Sequence, residues 1–204
     1  MLARSGVGSL LILDHGKVEE VHVNSLYYQN EQIGLPRSDA AKLCVNDFSP
    51  QAKVEALQID FNNEVERKRV KDLFEMEEGT SPLGGNLDIV LDCLEDSTQS
   101  GLLAELCHSA GITRLECGTK KEAACAYYQF HVAGAATEQA FAMDPVEDAA
   151  GASLWEVLLP STYQTIAGLA VQDVLKYLLE AGKVTSAVRY NTATMKVDSR
   201  EMSF

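Results

Sequence analysis

Asp14 is the residue in this sequence best placed to do chemistry. It closes a short apolar run, Leu10 to Leu13, and is followed by His15-Gly16. Four apolar residues between turn formers suit a buried strand and are too few for a helix. An acid at the carboxyl end of such a strand sits at the rim of a doubly wound sheet, where nucleotide riboses are commonly held. Many strands end in Asp at a turn, so the order of the residues after it says more: Asn24-Ser25-Leu26, Gln29, Ile33-Gly34, Arg37 and Ala40-Ala41. Asp60 lies near the end of a second strand-like stretch, Lys53 to Phe61. Glu95-Asp96 comes after a third. Paired acids there are ordinary N-cap material for a helix beginning at Ser97.

Other chemistry finds less support. The four histidines, His15, His22, His108 and His131, show no metal-ligand spacing, and no Ser-His-Asp arrangement stands out. The five cysteines, Cys44, Cys93, Cys107, Cys117 and Cys125, are odd in number with no close pair. They read as reduced thiols of a cytosolic protein. Cys93, in an apolar strand pattern, and Cys107, on a helix, read as small core residues, and Cys125 as structural. No residue is assigned as catalytic.

The elements that must position these groups alternate along the chain. Residues 1–8 read as a helix end and a Gly-rich turn, and Gly6-Val7-Gly8 is not a phosphate loop, because such a loop follows a strand and opens a helix. Helical spacing covers Arg37 to Val45, Asn62 to Met76, Ser97 to Ala110 and Thr162 to Ala181, the last with Ile166, Leu169, Ala170, Val174, Tyr177 and Leu178 on one face. Strand patterns cover Lys53 to Phe61, Ile89 to Leu94, Thr113 to Cys117, Ala124 to Val132 and the strand-like Val188 to Val197. Glu75 to Asn86 reads as a loop, and 133–158 as a mobile crossover loop, Ala-, Gly- and acid-rich over most of its length. Alternating strands and helices imply parallel pairing with right-handed crossovers.

At 204 residues, 46% hydrophobic and 23% charged, the chain fits one soluble α/β domain, 1–204. A formal net charge of −13 argues against nucleic acid and against an anionic membrane surface. No apolar run approaches a membrane span, and the first residues lack a secretory pattern.

The motif order of Ser9 to Ala41 resembles the ThiF/MoeB family, the ATP-dependent activators of ubiquitin-like proteins, and within it the ufmylation branch. The likeness continues in DIVLDCLED (Asp88 to Asp96), ITRLECG (Ile112 to Gly118), LPSTYQTIAGLAVQDVLKYLLEAGKV (Leu159 to Val184) and VRYNTATMKV (Val188 to Val197). It covers nearly the whole chain, with interruptions at 62–86 and 126–158. The resemblance implies a three-layer α/β, doubly wound, mostly parallel Rossmann-like sheet, here without its first strand and phosphate loop. It implies ATP and Mg²⁺ as cofactors, a ubiquitin-like modifier as partner, and a homodimer or a heterodimer with a full-length activating enzyme.

Carried over by resemblance, Asp14 would face the ribose, with Asn24, Gln29, Arg37, Asp60, Glu95 and Asp96 completing the nucleotide site. Several positions depart from the pattern. The second acid of the family's D-x-D motif falls on Gly16, and the arginine that neutralises triphosphate charge is Ser25. Arg37 stands for a lysine, Asp60 for an asparagine, and Glu95-Asp96 for an Asp-Asn pair whose acid holds Mg²⁺. The family thiol aligns with Trp155 or, with a gap, Gly151 or Ala152, and the first zinc pair near Glu138 and Phe141; zinc is not expected. Two readings remain: an adenylating activator that is inactive as this chain alone, or a pseudoenzyme that binds the modifier or dimerises without catalysis. An unrelated Rossmann-type oxidoreductase would need a G-x-G-x-x-G loop after a strand, and the sequence has none.

Overall fold

The computed structural model describes residues 1–25, 28–76, 85–120, 125–135, 152–192 and 194–201, with side chains for all of these except 24, 25, 120 and 152–159. They fall into two compact units, Met1–Asn86 and Leu87–Phe204.

In the first unit a 3₁₀ turn, Leu2–Ser5, ends at Gly6, whose φ of +93° favours a residue without Cβ. Strand β1 (Ser9–Leu13) comes next and pairs in parallel with β2 (Lys53–Leu57), Ser9 opposite Lys53 through Leu13 opposite Leu57. A parallel pair requires a long crossover. Here it runs through α1 (Glu20–Ser25) and α2 (Arg37–Phe48), with Val45 of α2 packed beside Leu10 and Ile12 against buried Ala3, Ala52 and Val54. Two further backbone bonds, Asp14 N–H to the Leu57 carbonyl and Ile59 N–H to the Asp14 carbonyl, extend the ladder one step past β1. They fix Asp14 at the carboxyl end of the pair.

The strand expected over Lys53 to Phe61 stops at Leu57. Asp60 Oδ1 accepts from the Asn62 N–H at 2.9 Å, and Asn63 Oδ1 accepts from Val65 and Glu66 as the N-cap of α3 (Glu64–Phe74). These side-chain acceptors turn the backbone out of the ladder.

The second unit is a five-stranded sheet in sequence order, β3 (Val90–Asp92), β4 (Arg114–Lys120), β5 (Cys125–His131), β6 (Thr185–Asn191) and β7 (Lys196–Glu201). Helix α4 (Ser97–Ala110) joins β3 to β4, and α5 (Ala152–Leu178) precedes β6. Alternation along the strands separates two faces. On one, Tyr128 donates to Asp173 of α5 and the Phe130 ring lies 5.7 Å from that of Tyr177. On the other, Ser100 of α4 bonds to Asp92. Helices therefore cover both faces of this sheet, the layering expected of the fold.

Parallel pairing, expected from the alternation of strands and helices, is found in β1·β2 and β3·β4, whereas β4·β5, β5·β6 and β6·β7 are antiparallel. Only residues 121–124 separate β4 from β5, too few for a crossover, so antiparallel pairing is the one available geometry.

Three expectations are corrected. Val188 to Val197 is not one strand but most of a hairpin: Asn191 pairs with Lys196, and Met195 sits at φ +56° in the turn. The helix expected from Thr162 begins at Ala152 and runs through Pro160, so 152–158 are helical rather than loop. Proline removes an amide donor and crowds the preceding turn; the helix formers Ala152, Leu154, Glu156, Leu158 and Leu159 carry the helix past it. Cys93, expected in the core, is exposed, while Cys107 and Cys125 are buried. Val90–Asp92 is a three-residue strand, so Cys93 already lies beyond it. Residues 136–151, within the expected crossover loop, and 77–84, within the expected loop from Glu75, lie outside those described.

Candidate nucleotide site

Two charged groups meet at the carboxyl end of β1. Oδ1 of Asp14 accepts three hydrogen bonds: from the Gly16 N–H at 2.6 Å, Arg37 Nη2 at 2.9 Å and Arg37 Nε at 3.1 Å. The other carboxylate oxygen accepts none among the described residues. Both side chains are 30% exposed. Arg37 opens α2 after Pro36, and its own N–H donates to the Gly16 carbonyl, closing a small ring of contacts around residue 16. The Tyr28 hydroxyl donates to the Arg37 carbonyl at 3.4 Å, and burial first, then the Asp14 carboxylate, pushes its pKa up, keeping it a neutral donor. His22 Nε2 lies 3.5 Å from Arg37 Nη1.

Gly16 explains how the guanidinium reaches Asp14. A Cβ at residue 16 would stand 2.4 Å from Arg37 Nη2 and 2.5 Å from its Cζ. The space that a side chain at 16 would take is filled by Arg37. An Arg so engaged has its charge largely answered by Asp14; it orients the carboxylate, whose second oxygen has no hydrogen bond among the described residues.

Among the described residues, no hydrogen bond joins the side chains of Gln29, Asp60, Glu95 or Asp96 to Asp14 or Arg37. Asn24 lies in α1, its side chain outside those described. Gln29 is exposed and its backbone N–H donates to Gln32 Oε1 at 2.8 Å, starting a short 3₁₀ turn, Asn30–Gln32. Asp60 caps its turn. In the second unit Asp96 is the N-cap of α4, accepting from the Gln99 N–H at 2.9 Å. Glu95 beside it is exposed, with Oε1 3.4 Å from the Tyr163 hydroxyl. Among the described residues no group of three His, Cys, Asp or Glu side chains could hold a metal ion.

The structure brings together a polar network that the sequence reading missed. Asp92 is buried, and its Oδ2 accepts from Arg114 Nη1 and from Ser100 Oγ at 2.6 Å while Oδ1 takes the Leu94 N–H at 3.0 Å. Arg114 Nη2 reaches on to Glu116 at 3.2 Å, which also meets His131 Nε2 at 3.0 Å and the Tyr127 hydroxyl at 3.0 Å. The bond to His131, then those to Tyr127 and the nearby Arg114 charge, hold the Glu116 carboxyl down to about 2. One signal was available: a charge inside each of two apolar strands, Asp92 in IVLDCL and Arg114 in ITRLECG, on strands joined by one helix. Every oxygen of Asp92 is taken, so this network secures β3 to β4 and α4.

An acid at the carboxyl end of a parallel strand pair, and a mixed sheet covered by helices on both faces, define a Rossmann-like α/β protein. Residues 1–203 match the ThiF family, and the chain belongs to it. It is 28% identical over 212 residues to "Ubiquitin-like modifier-activating enzyme 5" of Oryza sativa subsp. japonica, covering 99% of this chain and 49% of that protein. The protein of the same name from Bombyx mori is 29% identical over 206 residues, 95% of this chain and 50% of that protein. The chain thus spans about half the length of the curated relatives it matches. Among solved structures, E. coli MccB with ATP aligns with a TM-score of 0.66 at 15% identity, over 98% of this chain and 58% of that one. PaaA aligns with a TM-score of 0.65 at 15% identity, over 98% and 58%. These likenesses establish the fold. Among the described residues no helix is long and apolar enough to cross a membrane.

Proposed function

We propose that this chain acts in the ATP-dependent activation of a ubiquitin-like modifier, in an ufmylation-type pathway, by holding the ribose of ATP on Asp14. The observation that carries this reading is the Asp14 carboxylate: one oxygen is held by three donors, and the other, without a hydrogen bond among the described residues, could accept a sugar hydroxyl. Family membership and the names of the relatives support the reaction class, adenylation of the modifier's C-terminal carboxylate.

The residues present fit a ribose better than they fit a caged metal. Magnesium binds such sites through one or two carboxylates and the nucleotide's phosphates. Bound ATP would supply the electrophilic phosphorus, and Asp14, oriented by Arg37, would hold its ribose.

Two substitutions argue that the chain does not complete the reaction alone. Ser25 brings no charge to the developing negative charge of phosphoryl chemistry, and the position of the family thiol, Trp155 or Gly151 or Ala152, offers no nucleophile. Those substitutions favour the second reading, a non-catalytic module that binds the modifier, or pairs with itself or a full-length activating enzyme in the cytoplasm.

Calorimetric titration of Mg-ATP into the chain, with and without the modifier, separates the two. Saturable binding that weakens roughly ten- to a hundredfold in Asp14→Ala supports the first, as expected for loss of one charge-assisted hydrogen bond. Absence of nucleotide binding, with the modifier still bound, overturns it in favour of the second.

A further inference from the structure

Cys93 is the residue that follows β3, and Cys117 lies in the neighbouring parallel strand β4. The ladder pairs Val90 with Arg114, Leu91 with Leu115 and Asp92 with Glu116. One more step in that register brings Cys93 beside Cys117, and the nearness of the two thiols lowers the pKa of Cys93 and raises that of Cys117. Adjacent strands lie about 4.8 Å apart, inside the ~4.4–6.8 Å between the Cα atoms of a disulfide. Side chains directly opposite on parallel strands also point to the same face. Cys93 is exposed and Cys117 half-buried. An exposed cysteine thus has a less exposed one beside it, whereas Cys107 and Cys125 are buried.

We propose that Cys93 and Cys117 form a thiol–disulfide exchange site that reacts with small-molecule disulfides of the glutathione class. The Cys93 thiolate attacks one sulfur of the incoming disulfide; its S–S bond breaks and the first small thiolate leaves, taking a proton. Cys117 then gives up its proton and attacks Cys93 Sγ, and the second small thiol departs. In sum, the protein loses two electrons and two protons, and the small disulfide is reduced to two thiols. The product ties the carboxyl end of β3 to β4, immediately before Glu95 and Asp96. In a reducing compartment such a bond is a transient, regulatory one.

The test treats the purified chain with oxidised glutathione and digests it with trypsin without reduction. No Lys or Arg lies between Asp72 and Ile112, so Cys93 falls on peptide 72–114 and Cys117 on 115–120. The expected product is these two peptides joined, with fragmentation placing the bond at Cys93 and leaving Cys107 free. Cys117→Ser should stop at a stable glutathione adduct on Cys93, and Cys93→Ser should leave Cys117 unmodified. A glutathione adduct that persists on Cys93 of the unsubstituted chain, or a bond to any other cysteine, overturns the proposal. Cys93 is exposed, so its serine variant reports on chemistry; circular dichroism of both variants, matching the parent, confirms that the fold is kept.

Discussion

Arg37 grips a single oxygen of Asp14 with two of its nitrogens, Nη2 at 2.9 Å and Nε at 3.1 Å, and leaves the other oxygen of that carboxylate unengaged among the described residues. The pairing is therefore a positioning device rather than a closed ion pair. Arg37→Ala should free the carboxylate to rotate and lower nucleotide affinity about tenfold, the worth of one well-made charged hydrogen bond. Stability should fall by only about 1 kcal/mol, since the pair is partly exposed. Arg37→Lys should recover little of the affinity, because an ammonium cannot make the two-pronged contact. Calorimetry and urea denaturation of the two variants measure both quantities, and parent-like nucleotide affinity in Arg37→Ala would remove the positioning role.

Gly16→Ala tests the same device from the other side. Its new methyl would stand 2.4 Å from Arg37 Nη2. The guanidinium is the far end of a flexible side chain and can swing away at little cost to the fold, but only by leaving Asp14. Nucleotide affinity should fall as in Arg37→Ala, with a change in stability below about 1 kcal/mol. The two substitutions act on one contact, so the double variant should be no weaker than Arg37→Ala alone. Additive losses would show that Gly16 matters for another reason.

Local pattern made much of this legible. The Leu10 to Leu13 run, bounded by turn formers, announced β1, and Asp96 before Ser97 announced the start of α4, which spans the expected Ser97–Ala110. What failed depended on partners distant in sequence. Nothing near Gly16 says that its missing side chain makes room for Arg37. Nor does anything near Arg37 say that its guanidinium meets Asp14, 23 positions away. Asp92 and Arg114 lie 22 positions apart and meet only because β3 and β4 adopt one particular register. Helix α5 passes Pro160 because a local penalty of about 3 kcal/mol is spread over a long helix. Periodicity reports which face a residue takes, and register decides what it touches.

The buried pair Asp92–Arg114 should be costly to break and cheap to replace. The Asp92 side chain is fully buried and that of Arg114 nearly so. Arg114→Met leaves Asp92 with the Ser100 hydroxyl and the Leu94 amide but no counter-charge, and should destabilise the chain by about 3–5 kcal/mol. Asp92→Asn together with Arg114→Met removes both charges and should recover more than half of that loss. Urea denaturation curves of the single and double variants give the comparison. A double variant as unstable as the sum of its parts would mean that the two side chains act independently.

Glu116 gives this network a dependence on pH whose sign can be stated in advance. Its carboxyl is held down to about 2, from an ordinary 4.5, chiefly by the bond from His131, then by Tyr127 and the Arg114 charge. A carboxylate with a depressed folded pKa contributes stability that is present above its unfolded pKa and is lost as pH falls through the folded one. The contribution should therefore be complete at pH 7 and drain away between about pH 5 and pH 2. Its size should be roughly 1–2 kcal/mol, less than the shift alone would give, because the side chain is 29% exposed and partly screened. Glu116→Gln keeps the shape and removes the charge, so it should be less stable than the parent at pH 7 and nearly level with it near pH 2. Denaturation midpoints of the two chains across that range decide the matter: a gap of constant size would mean that shape, and not the carboxylate's charge, is what His131, Tyr127 and Arg114 recognise.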